Sequence, residues 1–144
     1  MQYRPYRGKC KEANAALQPA GKWVEGACFQ APDDDRIFIV NFYQGWPLLL
    51  EVEPETVGQF TGRQDINGQR IFEGDVVIAK LAEGNWRGFS WGLQKVVFND
   101  GAFCLEDYRG KKTPFTSYAP HVEFEVVGNI SDNPELLEAP CTTT

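Results

Sequence analysis

The sequence predicts a mainly β protein: an N-terminal β-hairpin or small sheet packed on a C-terminal SH3-like small β-barrel, with a short C-terminal helix. Three observations carry this reading. Apolar residues recur with a period of two rather than 3.6, in short runs rich in β-branched and aromatic residues. Glycines and polar turn formers bound those runs at the spacing of a small all-β domain. Helix-forming stretches are few and short.

Taken in order, the expected strands are Lys22 to Phe29, Arg36 to Tyr43, Leu48 to Glu53, Arg70 to Lys80, Leu93 to Phe98, Ala102 to Glu106 and Val122 to Val127. Lys9 to Leu17 has helix-forming composition but stops at Gln18-Pro19 without an apolar stripe, so it reads as a helical turn or loop. Pro32-Asp-Asp-Asp35 reads as a solvated turn between strands. Asn99-Asp100-Gly101 joins two strands in a bulged three-residue hairpin loop, Gly101 supplying the left-handed conformation. In Val122 to Val126 the alternation puts Glu123 and Glu125 on a wet face and Val122, Phe124 and Val126 on a buried one. Ser131 to Leu137 reads as the short helix, with Asn133 as N-cap, Pro134 at the first helical position and Glu135 near the positive end of the dipole.

At 144 residues the chain is long enough to bury about 68–70% of its unfolded surface without disulfides or metal. A boundary is expected near Pro54-Glu55, dividing residues 1–55, an N-terminal β subdomain, from 56–130, the barrel, with 131–144 as short helix and disordered tail. Fourteen Lys and Arg stand against 20 Asp and Glu, a formal charge of −6, so the molecular field repels polyanions and nucleic-acid binding is disfavoured. No apolar run is long enough to span a membrane and no leader opens the chain, which predicts a soluble cytoplasmic protein. Cys10, Cys28, Cys104 and Cys141 form no metal-binding spacing and read as free, mostly buried thiols; Cys141 falls in the polar tail.

The stretch Thr56 to Val77 contains Val57-Gly-Gln-Phe-Thr-Gly62, the turn Asp65-Ile-Asn-Gly68 and Ile71-Phe-Glu-Gly-Asp-Val-Val77. In order and spacing it resembles the YopX proteins of phages and prophages. Tyr6-Arg-Gly-Lys9, Trp23-Val-Glu-Gly26, Glu51 to Thr56 and Val126 to Leu137 are similar to that family as well. The resemblance implies a phage context and no particular chemistry. The chain departs from it at Lys11 to Gly21, at Asn41 to Pro47, in the aromatic loop after Glu83 and after Leu137.

No catalytic set is expected. His121 is the single histidine, no serine lies in a nucleophile elbow and no phosphate-binding loop is present. Carboxylate pairs such as Glu51 with Glu53 and Glu106 with Asp107 read as the wet side of an acidic β protein. Glu73 and Asp75 read as acceptors for turn amides at a strand entry. No metal and no cofactor are implied.

The segment Glu83 to Gly92 gathers Trp86, Arg87, Phe89 and Trp91 among three glycines. Trp and Arg dominate interface hot spots, which points to partner contact, while a plug of the barrel by the alternate aromatics Trp86 and Trp91 fits equally. Tyr43 and Trp46 form a second candidate surface. Asp33, Asp34 and Asp35, and the basic run Arg109, Lys111 and Lys112 beside Tyr108, are secondary candidates. The expected function is therefore a non-catalytic accessory protein that binds a host or phage protein, as an inhibitor of a host defence or regulatory factor. A small-ligand or nucleic-acid-binding barrel is the alternative, and an uncharacterised enzyme the third. Exposed strand edges make a homo-oligomer a further expectation.

Overall fold

A computed structural model describes residues 5–11, 21–81, 90–118 and 122–137. Its described residues form a mainly β structure of two antiparallel sheets with almost no helix. The chain divides into two compact units, Met1–Phe60 and Thr61–Thr144.

The first unit holds β1 (Tyr6–Lys9), β2 (Trp23–Gln30), β3 (Ile37–Tyr43), β4 (Trp46–Val52) and the start of β5 (Gly58–Gln64), in the order β4-β3-β2-β1-β5. Beyond β1, Cys10 makes an isolated antiparallel bridge with Val52 of β4. The sheet therefore curls until its first and fourth strands meet, around a core of Cys10, Val24, Ile39, Leu50 and Val52. Lys9 belongs to β1 rather than to a helical turn, and 12–20 lie outside the described residues.

Gly26 is required at the bend. A β-carbon there would collide with the carbonyl oxygen of Val40 on the neighbouring strand, so β2 and β3 approach as closely as only a glycine permits.

The second unit carries β6 (Arg70–Phe72), paired with the later part of β5, and a sheet of β7 (Asp75–Leu81), β8 (Ser90–Asn99), β9 (Ala102–Glu106), β10 (Lys112–Pro114) and β11 (Val122–Asn129), ordered β10-β9-β8-β7-β11. No pairing among the described residues closes this sheet into a barrel. Its core is Ile71, Val77, Ala79, Val96, Leu105, Phe115, Val122 and Phe124. The Phe124 ring meets Phe115 and Tyr118 edge to face, with centroids 5.1 and 5.5 Å away, a favoured aromatic geometry. Along β11 the expected alternation holds: Val122 and Phe124 are buried and Glu123 is exposed. A bulge between Val126 and Gly128 then breaks it.

Several local expectations are refined. The anticipated strand Arg70 to Lys80 is two strands, β6 and β7, separated by the Glu73-Gly74 turn. The β8–β9 hairpin forms as expected, but Asn99 pairs with Ala102, leaving a two-residue turn. Asp100 and Gly101 both have positive φ, 51° and 80°, the signature of a type I′ turn, whose twist matches that of the strands better than a bulge would. The C-terminal helix is a single 3-10 turn, Pro134–Leu137. Asn133 takes the N–H of Leu136 on its carbonyl, while its side chain turns back to accept from the N–H of Asn129 at 3.3 Å. Four residues leave no room for a second α-helical turn.

Candidate functional site

Two carboxylates of the signature stretch, Asp65 and Asp75, are structural. Asp65 is buried, 7% exposed, and its Oδ1 accepts from the backbone N–H of Asn67 at 2.8 Å and of Gln69 at 2.9 Å. Its Oδ2 accepts from the N–H of Val126, 3.0 Å away, beside the β11 bulge. One side chain thus shapes the β5–β6 turn and fastens it to a strand sixty-one residues on. Asp75, also buried, accepts from the N–H of Phe72 at 2.7 Å, the turn-amide role expected of it. Both carboxylates are occupied by backbone donors, the arrangement that makes burying a charge tolerable.

The basic run lies on the β9–β10 turn. Asp107 Oδ1 accepts from the N–H groups of Arg109 and Lys111, each at 2.9 Å. Arg109 Nε donates to the Tyr108 hydroxyl at 2.9 Å. Lys112 pairs with Glu106 at 3.0 Å, as does Lys95 at 3.2 Å. Burial alone would raise the Glu106 carboxyl, but hydrogen bonds from Lys112 and Lys95 and their charges prevail and hold it below the ordinary carboxylate range. Tyr108, Arg109, Lys111 and Lys112 are all exposed, and of them Lys112 is tied to the fold through Glu106.

The acidic turn between β2 and β3 is exposed from Pro32 to Arg36. Asp34 accepts from both the N–H and the Nε of Arg36, each at 2.9 Å. The backbone hydrogen bond is the largest cause of its lowered pKa. Asp34 organises the turn, and Asp33 and Asp35 project from it.

Among the described residues, the most exposed apolar groups are on the β3–β4 hairpin. Tyr43 pairs with Trp46 across the two-residue turn Gln44-Gly45, whose φ values of 51° and 85° again describe type I′. Trp46 is 75% exposed and Phe42 68%. Trp46 shares the alternation of Leu48, Leu50 and Val52, the side facing the core, yet lies past the end of that core. Phe42 points the other way.

Cross-strand partners share a face, and on that other face the register sets Phe29 beside Phe38, Phe38 beside Glu51, Ala27 beside Val40, Val40 beside Leu49 and Phe42 beside Pro47. Phe29, Phe42 and Leu49 are each about half exposed or more, at 48%, 68% and 53%. Sequence reading missed this face, although β3 announces it: Ile37-Phe-Ile-Val-Asn-Phe42 is apolar at both parities, the pattern of a strand with two dry sides.

Of the residues singled out in the sequence, Trp86, Arg87 and Phe89 lie outside the described residues, as does His121. Trp91 and Tyr43 are placed by backbone only, in β8 and β3. Cys10, Cys28 and Cys104 are free; burial raises the thiols of Cys10 and Cys28 above their ordinary values, which disfavours thiolate chemistry. Among the described residues no group of three or more His, Cys, Asp or Glu is placed to hold a metal ion. Among the same residues no helix is long and apolar enough to cross a membrane.

A family model described as "YopX protein" matches residues 11–138. Two solved structures are similar in fold over 96% of this chain and all of theirs. Protein EF1440 from Enterococcus faecalis has a TM-score of 0.51 at 20% identity, and protein yopX from Bacillus subtilis 0.56 at 15%. No curated protein matches.

Proposed function

The chain belongs to the YopX family, and from that premise we propose that it is a non-catalytic phage or prophage accessory protein that works by binding a protein in the bacterial cytoplasm. The target is a host or phage protein, and inhibition of a host defence or regulatory factor is the consequence. The observation that supports this reading best is Trp46, a large aromatic three-quarters exposed on a tight hairpin. Such a residue offers a partner wide apolar area at little entropic cost, because its strand already holds the backbone. Asp75, one of the paired carboxylates on which a catalytic reading would draw, is engaged by the backbone amide of Phe72, which favours binding over catalysis.

The second unit supports an SH3-like reading in open form. Four strands meander from β7 to β10, a 3-10 turn follows at Phe115–Ser117, and β11 returns to pair with β7. Such a scaffold holds out loops, and fold alone assigns no task. The aromatic loop with Trp86, Arg87, Phe89 and Trp91 joins the proposal on its composition.

The test is capture from host lysate by wild type, Trp46→Ala and the Trp86→Ala/Trp91→Ala double variant. A specific protein retained by wild type and lost from either variant is the expected result. Retention of nothing specific, together with a rise in melting temperature when nucleotides or oligonucleotides are added, would transfer the assignment to a ligand-binding module. Loss of that rise in Arg109→Ala/Lys111→Ala would then place the ligand on the basic turn.

A further inference from the structure

The partner-binding reading makes no use of the β5–β6 turn, yet that turn carries a reactive pair. Asn67-Gly68 is the only Asn-Gly in the sequence, and both residues are exposed. An asparagine followed by glycine is prone to spontaneous deamidation, because the second residue has no side chain to hinder attack by its own backbone nitrogen. The Gly68 nitrogen bonds to Asn67 Cγ, and its proton leaves with the side-chain amide nitrogen as ammonia. Water then opens the resulting succinimide at one carbonyl to give aspartate or at the other to give isoaspartate. The step needs no oxidant and no cofactor.

Space does not oppose the attack here, since a β-carbon at Gly68 would meet nothing within 4 Å. Hydrogen bonding does. The Gly68 N–H, whose proton must be given up to free the nucleophile, is donated to the Asp65 carbonyl at 3.0 Å. The N–H groups of Asn67 and Gln69 on either side are donated to Asp65 Oδ1 at 2.8 and 2.9 Å. The backbone donors from Asn67 to Gln69 therefore all end on one residue. Asp65 is in turn held by β11, its Oδ2 accepting from the Val126 N–H at 3.0 Å, while the neighbouring Ile66 N–H is donated to the Phe124 carbonyl at 2.9 Å.

We propose that Asn67 is a deamidation site whose rate is set by Asp65: the turn must release Asp65 before the Gly68 nitrogen can swing onto the Asn67 side chain. Chemistry that requires such an opening proceeds in proportion to the population of the open state. The product then undoes the turn. Isoaspartate lengthens the main chain by one methylene between Asp65 and Gln69, so the donors no longer converge on Asp65 Oδ1, and it adds a negative charge beside a buried carboxylate. β11 is the terminal strand of its sheet, and this turn occupies its outer edge at Phe124 and Val126. Deamidation thus uncovers a strand edge, the feature through which a further strand can pair.

Peptide mapping by mass spectrometry of protein held in mildly alkaline buffer tests the proposal, with isoaspartate detected by enzymatic methyl transfer. Native wild type is expected to convert Asn67 at least about tenfold more slowly than the same chain unfolded in urea, and Asp65→Ala, folded by circular dichroism, to recover at least about tenfold of that rate. Gly26→Ala, which weakens the first unit instead, is expected to leave the native rate unchanged. Should Asp65→Ala fail to fold, Asp65→Asn replaces it; that variant keeps one carbonyl oxygen for the turn amides but sets an amide against Val126, and a smaller acceleration is expected. Equal rates in native and unfolded wild type, or equal acceleration by the Asp65 and Gly26 variants, overturn the proposal. In aged protein separated by charge, hydrogen exchange at Ile66 and Val126 is expected to quicken, and unchanged exchange there overturns the uncovering of β11.

Discussion

The β5–β7 segment and the β3–β4 hairpin treat polar and apolar groups in opposite ways. In the first, two buried carboxylates accept from backbone donors and so build the turns. In the second, aromatics that would ordinarily be buried are held in water by a well-formed turn. An inward polar group with every partner supplied is architecture. An outward apolar group without a protein neighbour marks a surface for something else.

Substitutions should separate the two regions by what they damage. The largest effect is expected from Asp65→Ala, which leaves three backbone N–H groups without their acceptor and costs at least about 3 kcal/mol. A denaturant midpoint within experimental error of wild type would show that the turn does not depend on this carboxylate. Gly26→Ala comes next, at about 2–3 kcal/mol, because the new methyl collides with the Val40 carbonyl unless β2 and β3 separate; hydrogen exchange should show the loss concentrated in β2 and β3.

Glu106→Gln is expected to cost about 1 kcal/mol or less at neutral pH and to change the acid limb of stability. Because the folded carboxyl is lowered, its contribution is fully present above the ordinary value of 4.5 and is lost as pH falls through the folded value. Wild type and variant should therefore converge at low pH. A difference that persists unchanged there would assign the effect to packing. At the small end stands Trp46→Ala, expected to stay within about 0.5 kcal/mol in thermal unfolding while lysate capture is lost. A large destabilisation would move Trp46 from the surface class to the architectural one.

Much of the fold was legible because period-two patterning is local. Val122 to Val126 and the hairpin around Asn99 to Gly101 can be read from a few adjacent residues, and the structure places both, with a two-residue turn in place of the bulged three-residue loop. Asp65 could not be read this way, since one of its partners is the amide of Val126, which no local pattern connects to it. Lys112 looked like part of a basic surface because its neighbours in sequence are basic, whereas β10 pairing sets it against Glu106. The exposed face of β2–β4 was in the sequence as a two-sided apolar strand, but such a strand reads equally as one buried in a core.

The Cys10–Val52 bridge constrains how the first unit is made. The partner of Cys10 in β4 follows it by some forty residues, so this end of β1 waits without its final neighbour while β2 and β3 are synthesised. The local hairpins β2–β3 and β3–β4 can form on their own, but the curl that encloses the core closes only after Val52 is free. The first unit is thus completed only when β4 closes against the Cys10 end of a strand that β2 already pairs.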